Sequence, residues 1–385
     1  MTRELSTNVL CYIDETKDET EELLKTLCQI PAPSNHEERR AEFCREWLIK
    51  QGAEGVYIDA AQNVLYPIGC EERNDIVLFM AHMDTVFPDI DPLPFTSDNT
   101  YFYSPGVGDD TACLTLMLMV AKYIAQNHLK PSCGVLFAAN TGEEGLGNLR
   151  GIRQIMQDFE GRIVTVYSFD GQYDVVVNGC VGSHRYRVII ESEGGHSFNA
   201  FGNKSAVHSL AQLICNLYNQ LLPQKNGTKT TFNIGVIEGG TAVNTIAQKA
   251  SMLYEYRSDS ADCLNKMKAN LEAEIEKIKN EGVTVHTELI GVRPCSGKVD
   301  EKALSALSDK CVAVQKKYSG GAVSCSFAST DCNIPMSLGI PAICVGTYKG
   351  DGEHTREEKL LIDSLPIGMK ITAELILDYF CAEGM

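Results

Sequence analysis

IVLFMAHMD, residues 76–84, is the stretch that decides the fold class. It opens with a short, continuous apolar run, which is typical of a strand covered on both faces. The pattern recurs in GVLFAA, residues 134–139, and in IVTVYSF, residues 163–169, and a strongly apolar helical stretch, residues 112–125, separates the first two runs. Strand patterns that alternate with helix patterns predict an α/β domain with a mixed, mostly parallel sheet.

The middle of the chain follows a different rhythm. Between residues 184 and 293 the patterns run strand, helix, strand, strand, helix, strand. This order is complete in itself and is the ferredoxin-like α+β arrangement. Helix and strand patterns of the first kind then return. We therefore predict one α/β domain, formed by residues 1–183 and 294–385, that is interrupted by a small α+β domain at residues 184–293.

The composition narrows the choice of partners and compartment. The 385 residues include 34 basic and 51 acidic side chains, for a net charge of −17. This acidic excess argues against nucleic acid or an anionic membrane as the main partner. The N-terminal stretch has no apolar signal core, and the longest apolar run is too short to span a bilayer. The 15 cysteines include no Cys-x-x-Cys pair, which indicates reduced thiols, and we expect a cytoplasmic protein.

Side chains that can bind metal follow several predicted strands and precede one helix. They are His82, Asp84, Asp109, Asp110, Glu143, Glu144, Asp170 and His354. In open α/β sheets, sites form in the crevice beyond the carboxyl ends of the strands. Imidazole and carboxylate groups suit Zn²⁺ and similar divalent ions. The pattern therefore predicts a divalent-metal site at this edge of the sheet.

Each of these features also has a simpler explanation when it is taken alone. Asp109 and Asp110 could cap the helix that follows them, and His354 could be an exposed loop histidine. The Glu143-Glu144 pair could belong to a solvated surface. Asp84 lies two residues after His82, so on an extended backbone it can accept the second imidazole N–H. It is the joint occurrence of these residues that favours a metal site.

The motifs occur in an order that resembles the M20 metallopeptidases. They are AHMDTVFP, GVGDDTACL, NTGEEGLGN, SFDGQ, EGGHSF, GGTAVNTIA, STDCNIPMSLGIPAICVG and EHTREEKLLIDSL. The resemblance extends from about residue 31 to the C-terminal helix. That clan includes peptidase T, carboxypeptidase G2-type enzymes, acetylornithine deacetylase and succinyl-diaminopimelate desuccinylase. The motif sequences are most similar to those of peptidase T-like members.

The resemblance implies a paired metal site in a catalytic domain of the zinc-exopeptidase type. His82 and Asp170 match the ligands of one ion, and Glu144 and His354 match those of the other. Asp109 matches the ligand that bridges the two ions. The metal implied is Zn²⁺, with Co²⁺ or Mn²⁺ as alternatives.

The resemblance also implies roles for residues around the metal. Asp84 matches the acid that orients the first histidine, and Glu143 matches the general base. His196 resembles the histidine that stabilises the oxyanion, often in the other subunit's active site. Asn244 and Arg257 resemble residues that bind the carboxylate or carbonyl of the substrate.

The function implied is hydrolysis of an amide bond by an exopeptidase that acts on small peptides, of the aminopeptidase, tripeptidase or carboxypeptidase type. One alternative is an N-acyl-amino-acid deacylase of the acetylornithine deacetylase type, which the ligand set does not separate from a peptidase. A more remote alternative is a binding homologue without activity, against which the intact set of chemical residues argues. Residues 184–293 resemble the family's lid or dimerisation domain, so we expect a homodimer, the alternative being a monomer with a closing lid.

Overall fold

The computed structural model describes residues 4–225 and 227–381. The chain divides into two compact units. The first runs up to Gly179 and resumes at Gly297, and the second is Cys180–Ser296. None of the described cysteines forms a disulfide, and no helix in the described ranges has both the length and the apolar character needed to cross a membrane.

The helices and strands of the described residues are numbered in chain order. The helices are α1 (Thr7–Glu15), α2 (Lys17–Gln29), α3 (Glu38–Lys50), α4 (Thr111–Gln126), α5 (Arg150–Asp158), α6 (Ala206–Asn219), α7 (Ala261–Lys279), α8 (Glu301–Ser319), α9 (Asn333–Ser337) and α10 (Ser364–Leu377). The strands are β1 (Tyr57–Ile58), β2 (Val64–Ile68), β3 (Ile76–His82), β4 (Thr96–Ser97), β5 (Tyr101–Tyr103), β6 (Gly134–Asn140), β7 (Ile163–Phe169), β8 (Val175–Cys180), β9 (Gly182–Glu191), β10 (Gly195–His196), β11 (Thr230–Gly239), β12 (Thr245–Ile246), β13 (Lys249–Ser258), β14 (Thr284–Arg293), β15 (Ser324–Ala328), β16 (Ala342–Val345), β17 (Gly350–Asp351) and β18 (Lys359–Leu361).

The first unit is built on an eight-stranded sheet in the order β1-β2-β6-β3-β7-β16-β8-β15. Strands β6, β3, β7 and β16 are parallel and form its centre, while β2 and β8 pair antiparallel on either side. Every residue of β3 and β6 is buried, as the continuous apolar runs predicted. The predicted mixed α/β sheet is confirmed.

Helix α4 explains how the central strands come to be buried. All of its residues except Gln126 are buried, because α2 and α10 pack against it and the sheet lies beneath it. Aromatic rings on the strands fill the same core, and the ring of Phe79 lies 5.0 Å from that of Tyr167 and 5.8 Å from that of Phe137. Stacked pairs of this kind add to the stabilisation that comes from burial.

A second, four-stranded sheet in the first unit was not predicted from the sequence. Its order is β17-β18-β5-β4, and β18 pairs antiparallel with β5, with Lys359 opposite Tyr103. These strands are two or three residues long, so they carry no periodic pattern. The pairing brings the chain that follows His354 beside the chain that precedes Asp109.

The second unit contains an antiparallel sheet in the order β11-β13-β9-β14. Helices α6 and α7 pack against the sheet and against each other, and together they bury Tyr254, Met252 and Leu210. The element order along this sheet and its two helices is β9-α6-β11-β13-α7-β14, which is the ferredoxin-like arrangement expected from the sequence.

Candidate metal centre

The carboxyl ends of the central strands meet at one edge of the first sheet. His82 is the last residue of β3 and lies opposite Asn140, the last residue of β6. Asp170 follows directly after β7, which is parallel to β3. This edge is where open α/β sheets form their sites.

Asp109 lies between the two histidines that the sequence singled out. Its Oδ1 is 3.2 Å from Nε2 of His82, and its Oδ2 is 3.0 Å from Nε2 of His354. Oε1 of Glu144 is 3.1 Å from the same nitrogen of His354. One carboxylate therefore reaches two imidazoles with separate oxygens, as a ligand shared by two ions would.

Three groups of side chains have ligand atoms close enough to hold a metal ion. His82, Asp109 and Asp170 form one group, and Asp109, Glu144 and His354 form another. In each group the ligand atoms lie within 4.8 Å of one another. The third group is His82, Glu143 and Glu144. We call His82, Asp109, Glu144, Asp170 and His354 the ligand cluster.

Asp109 and Asp110 have different surroundings in the structure, although residue type alone does not distinguish them. The peptide bond between them is cis. Oδ2 of Asp110 accepts the backbone N–H of His82 at 3.0 Å, and this side chain is fully buried. The carboxylate of Asp110 thus faces the backbone of β3, while that of Asp109 faces the imidazoles.

Asp84 holds the turn that carries Glu143 and Glu144. Its Oδ1 accepts the N–H of Glu143 at 3.0 Å, and its Oδ2 accepts the N–H of Glu144 at 2.9 Å. The hydroxyl of Ser34 also donates to Oδ2, at 2.7 Å. For Nδ1 of His82, the backbone carbonyl oxygen of Asp84, at 3.0 Å, is nearer than the carboxylate, at 3.5 Å. The sequence predicted that the carboxylate of Asp84 would accept the imidazole N–H of His82, but this contact is the longer of the two.

A partly buried ion pair supports the same turn. Glu37 is fully buried, accepts the N–H of Gly142 at 3.1 Å and pairs with Arg150. Sequence reasoning missed Glu37 because the charged run HEERR around it has the composition of an exposed helix start. Only the distant contact with Arg150 reveals its role.

The electrostatics of the ligand cluster call for positive charge. Hydrogen bonds to Asp109 and Glu144 raise the pKa of His354 to about 11. Burial lowers the pKa of His82, but hydrogen bonding to Asp109 and the charge of Asp110 outweigh it and raise the pKa well above its usual value. Burial, together with the charge of Asp109, raises the pKa of Asp170 to about 7. Buried carboxylates in this number need cations as partners, and the donor set fits two metal ions.

A cavity of about 460 Å³ opens beside Asp170. Val177, Ala328 and Thr330 contribute to its lining, and Gln172 and Glu353 lie at the same cavity. The amide of Gln172 donates to Glu353 at 2.8 Å. The cavity therefore adjoins the ligand cluster through Asp170.

The remaining predicted site residues lie in the second unit. His196 is exposed on β10 and pairs with Thr245 of β12. The backbone carbonyl oxygen of Asn244 accepts the N–H of Ser197 at 3.0 Å, so His196 and Asn244 lie close together. Arg257 lies on β13, and its Nε donates to Glu255 at 2.7 Å.

The fold and the ligand cluster are those of a metal-dependent hydrolase. Residues 78–378 match the model of peptidase family M20/M25/M40, and the chain belongs to this family. It is a metal-dependent amide hydrolase.

Several proteins are similar over most of their length. The succinyl-diaminopimelate desuccinylase of Corynebacterium glutamicum is 24% identical over 352 residues, which are 89% of this chain and 92% of the relative. A tripeptidase from Staphylococcus aureus subsp. aureus Mu50 has a TM-score of 0.75 at 23% identity, covering 94% and 97% of the two chains. The YXEP protein of Bacillus subtilis, a dinuclear metal-binding peptidase of the M20 family, has a TM-score of 0.62 at 15% identity, covering 95% and 99%.

Proposed function

We propose that the protein is a two-metal exopeptidase that acts on small peptides. His82 and Asp170 would hold one ion, Glu144 and His354 the other, and Asp109 both. The observation that carries this proposal is the position of Asp109, whose two oxygens reach the two histidines separately. Zn²⁺ suits these donors, and Co²⁺ or Mn²⁺ are alternatives.

When bound, such ions activate water as a nucleophile and polarise the carbonyl group of the scissile bond. The chain itself supplies the proton transfers. Glu143 takes a proton from the attacking water on its carboxylate and delivers it to the leaving amine. Its ligand atom lies within 4.8 Å of those of His82 and Glu144, and Asp84 holds its backbone N–H. Glu143 is therefore anchored next to the ligand cluster, as this role requires.

Three further residues, His196, Asn244 and Arg257, would contact the substrate in this proposal. The exposed ring of His196 is available to stabilise an oxyanion. Asn244, also exposed, and Arg257 would bind a carboxylate or carbonyl of the substrate. We also propose that the protein forms a homodimer through the lid domain, residues 184–293. A cytoplasmic location is a separate proposal. Support for the dimer comes from β11, an edge strand on which Ile237 is 59% exposed.

The second candidate function is N-acyl-amino-acid deacylation. It is favoured by the similarity to a desuccinylase, whereas the similarity to a tripeptidase favours peptides. A panel of metal-loaded assays separates the two, with free tripeptides, dipeptides and N-acyl amino acids as substrates. An N-blocked and a C-amidated tripeptide establish which terminus is recognised. We expect free peptides to be cleaved fastest, and turnover of N-acyl amino acids alone would contradict the peptidase proposal.

The general base is tested with Glu143→Ala. We expect this variant to fold and to bind two ions, but to lose about 10²–10⁴-fold in turnover, which is the usual contribution of a positioned acid–base group. Glu357→Gln is the control, because Glu357 is exposed in the same unit. Near-normal turnover of the Glu143 variant would overturn the assignment and would also favour a different residue as the base.

A further inference from the structure

Glu358 is a buried carboxylate that has no role in the proposed hydrolysis. Its side chain is 1% exposed, and it directly precedes β18. Its Oε2 accepts the N–H of Gly106 at 2.6 Å, and its Oε1 accepts those of Gly108 and Asp109, each at 2.9 Å. One carboxylate thus satisfies three backbone donors in the turn that leads to the ligand cluster.

This turn depends on Glu358 for its hydrogen bonds. Within the turn itself, the N–H of Val107 donates to the carbonyl oxygen of Ser104 at 3.1 Å. The N–H groups of Gly106 and Gly108 are buried, that of Asp109 is partly buried, and all three would lose this acceptor without Glu358. The fit is also close, because a Cβ atom added at Gly108 would lie 3.0 Å from Oε1 of Glu358.

Glu358 also joins two segments that each carry a member of the ligand cluster. It follows His354 in the same loop, and it accepts the backbone N–H of Asp109. The side chains of these two residues meet at 3.0 Å between Nε2 and Oδ2. The pairing of β18 with β5 aligns the neighbouring chain, whose last paired residue is Tyr103, but it does not extend to Asp109.

We propose that Glu358 is a positioning residue for Asp109. It fixes the backbone from which Asp109 presents its two oxygens, and it thereby sets how both ions are held. This proposal rests on the two-ion function proposed above. A residue that only stabilised the fold would not affect the ions beyond a general loss of stability.

The test uses two variants of Glu358 and one matched control. Glu358→Gln keeps the size of the side chain but turns an amide NH₂ towards backbone donors. Glu358→Asp keeps the charge but is one methylene shorter, so it reaches the turn incompletely. Glu374→Gln is the control, because Glu374 is also 1% exposed and is held by Lys317 and Tyr318 away from the turn.

Each protein is titrated with Co²⁺, and the visible spectrum, the number of ions bound and the affinity for each are recorded. We expect wild type and Glu374→Gln to bind two ions with the same spectrum. Glu358→Gln should show an altered spectrum and about 10–100-fold weaker binding, as for other residues that orient metal ligands. Glu358→Asp should fall between the two, and it decides the matter if the glutamine variant does not fold.

The outcomes separate this proposal from the proposed function. If wild type binds two ions and the folded Glu358 variants share its spectrum and affinities, the positioning role is wrong while the two-ion function stands. If wild type itself does not take up two ions, the proposed function fails first. A stability loss like that of Glu374→Gln, with unchanged Co²⁺ binding, would show that Glu358 is only structural.

Discussion

Replacing Asp84 by asparagine tests how the turn of Glu143 and Glu144 is held. Asp84 is fully buried, and its two carboxylate oxygens accept the N–H groups of Glu143 and Glu144 separately. An asparagine side chain in its place could accept only one of them, because its NH₂ group would face the other N–H. Ser34 can adapt, because its hydroxyl group can rotate and is already within 3.1 Å of the carbonyl oxygen of Glu144.

The size of the effect follows from these contacts. One hydrogen bond to a charged acceptor is lost, which is worth about 1.5–3 kcal/mol of the free energy of unfolding. The loss of one negative charge beside Glu37 offsets part of this, because burial and then the charge of Asp84 raise the pKa of Glu37. We therefore expect a net loss of about 1–3 kcal/mol in the metal-free protein. Metal affinity should fall by about 10–100-fold, since the altered turn carries Glu144.

Urea unfolding of the metal-free protein and competition for Zn²⁺ against a chelator measure the two effects. The control is Asp98→Asn, because Asp98 likewise accepts two backbone N–H groups and one hydroxyl, but it is exposed. We expect the control to keep its metal affinity. A loss of stability below about 0.5 kcal/mol in Asp84→Asn, as for a surface substitution, with unchanged metal affinity would refute the reasoning.

Three further predictions concern the same unit. Metal uptake should release protons, because the raised pKa values keep His82 and His354 protonated at neutral pH and metal takes neutral imidazole, so affinity should rise with pH. Calorimetry in two buffers of different ionisation enthalpy counts the protons, and none released would contradict this. Gly108→Ala should cost about 1–3 kcal/mol in urea unfolding, since its Cβ would lie 2.6 Å from Cε2 of Tyr348. Gly321→Ala is its control, because a Cβ there would meet only the hydroxyl of Ser319, at an ordinary 3.7 Å. Arg150→Met should cost about 3–5 kcal/mol, because it leaves Glu37 buried without its cation, and a loss below about 1 kcal/mol would argue against that ion pair.

Local patterns were sufficient to predict the parallel centre of the main sheet and the ferredoxin-like order. The continuous apolar run that becomes β3 reflects burial on both faces, and burial is recorded in residue type. Strands β5, β17 and β18 were missed because two or three residues carry no period. Their pairing depends on partners that lie far away in the sequence.

The site shows the same division between local and distant information. Strand ends and residue types indicated a metal site, but the choice of Asp109 over Asp110 came from resemblance. The structure separates them by a distant contact, the bond from the backbone N–H of His82 to Asp110. Glu37 and Glu358 could not be predicted, because each lies in a charged run that is typical of a surface. In the folded chain both side chains are buried, and each accepts a hydrogen bond from a backbone N–H group of a distant segment.

Metal stoichiometry tests most directly whether two ions share Asp109. The metal-free protein is incubated with Zn²⁺, Co²⁺ or Mn²⁺, and the bound ions per chain are counted by elemental analysis for wild type and for Asp109→Ala. We expect two ions in wild type. In Asp109→Ala we expect weaker binding at both positions, because each ion would lose an oxygen ligand, the two oxygens lying 3.2 and 3.0 Å from Nε2 of His82 and His354. Saturation of wild type at one ion, or two tightly bound ions in Asp109→Ala, would contradict the proposal that Asp109 is shared.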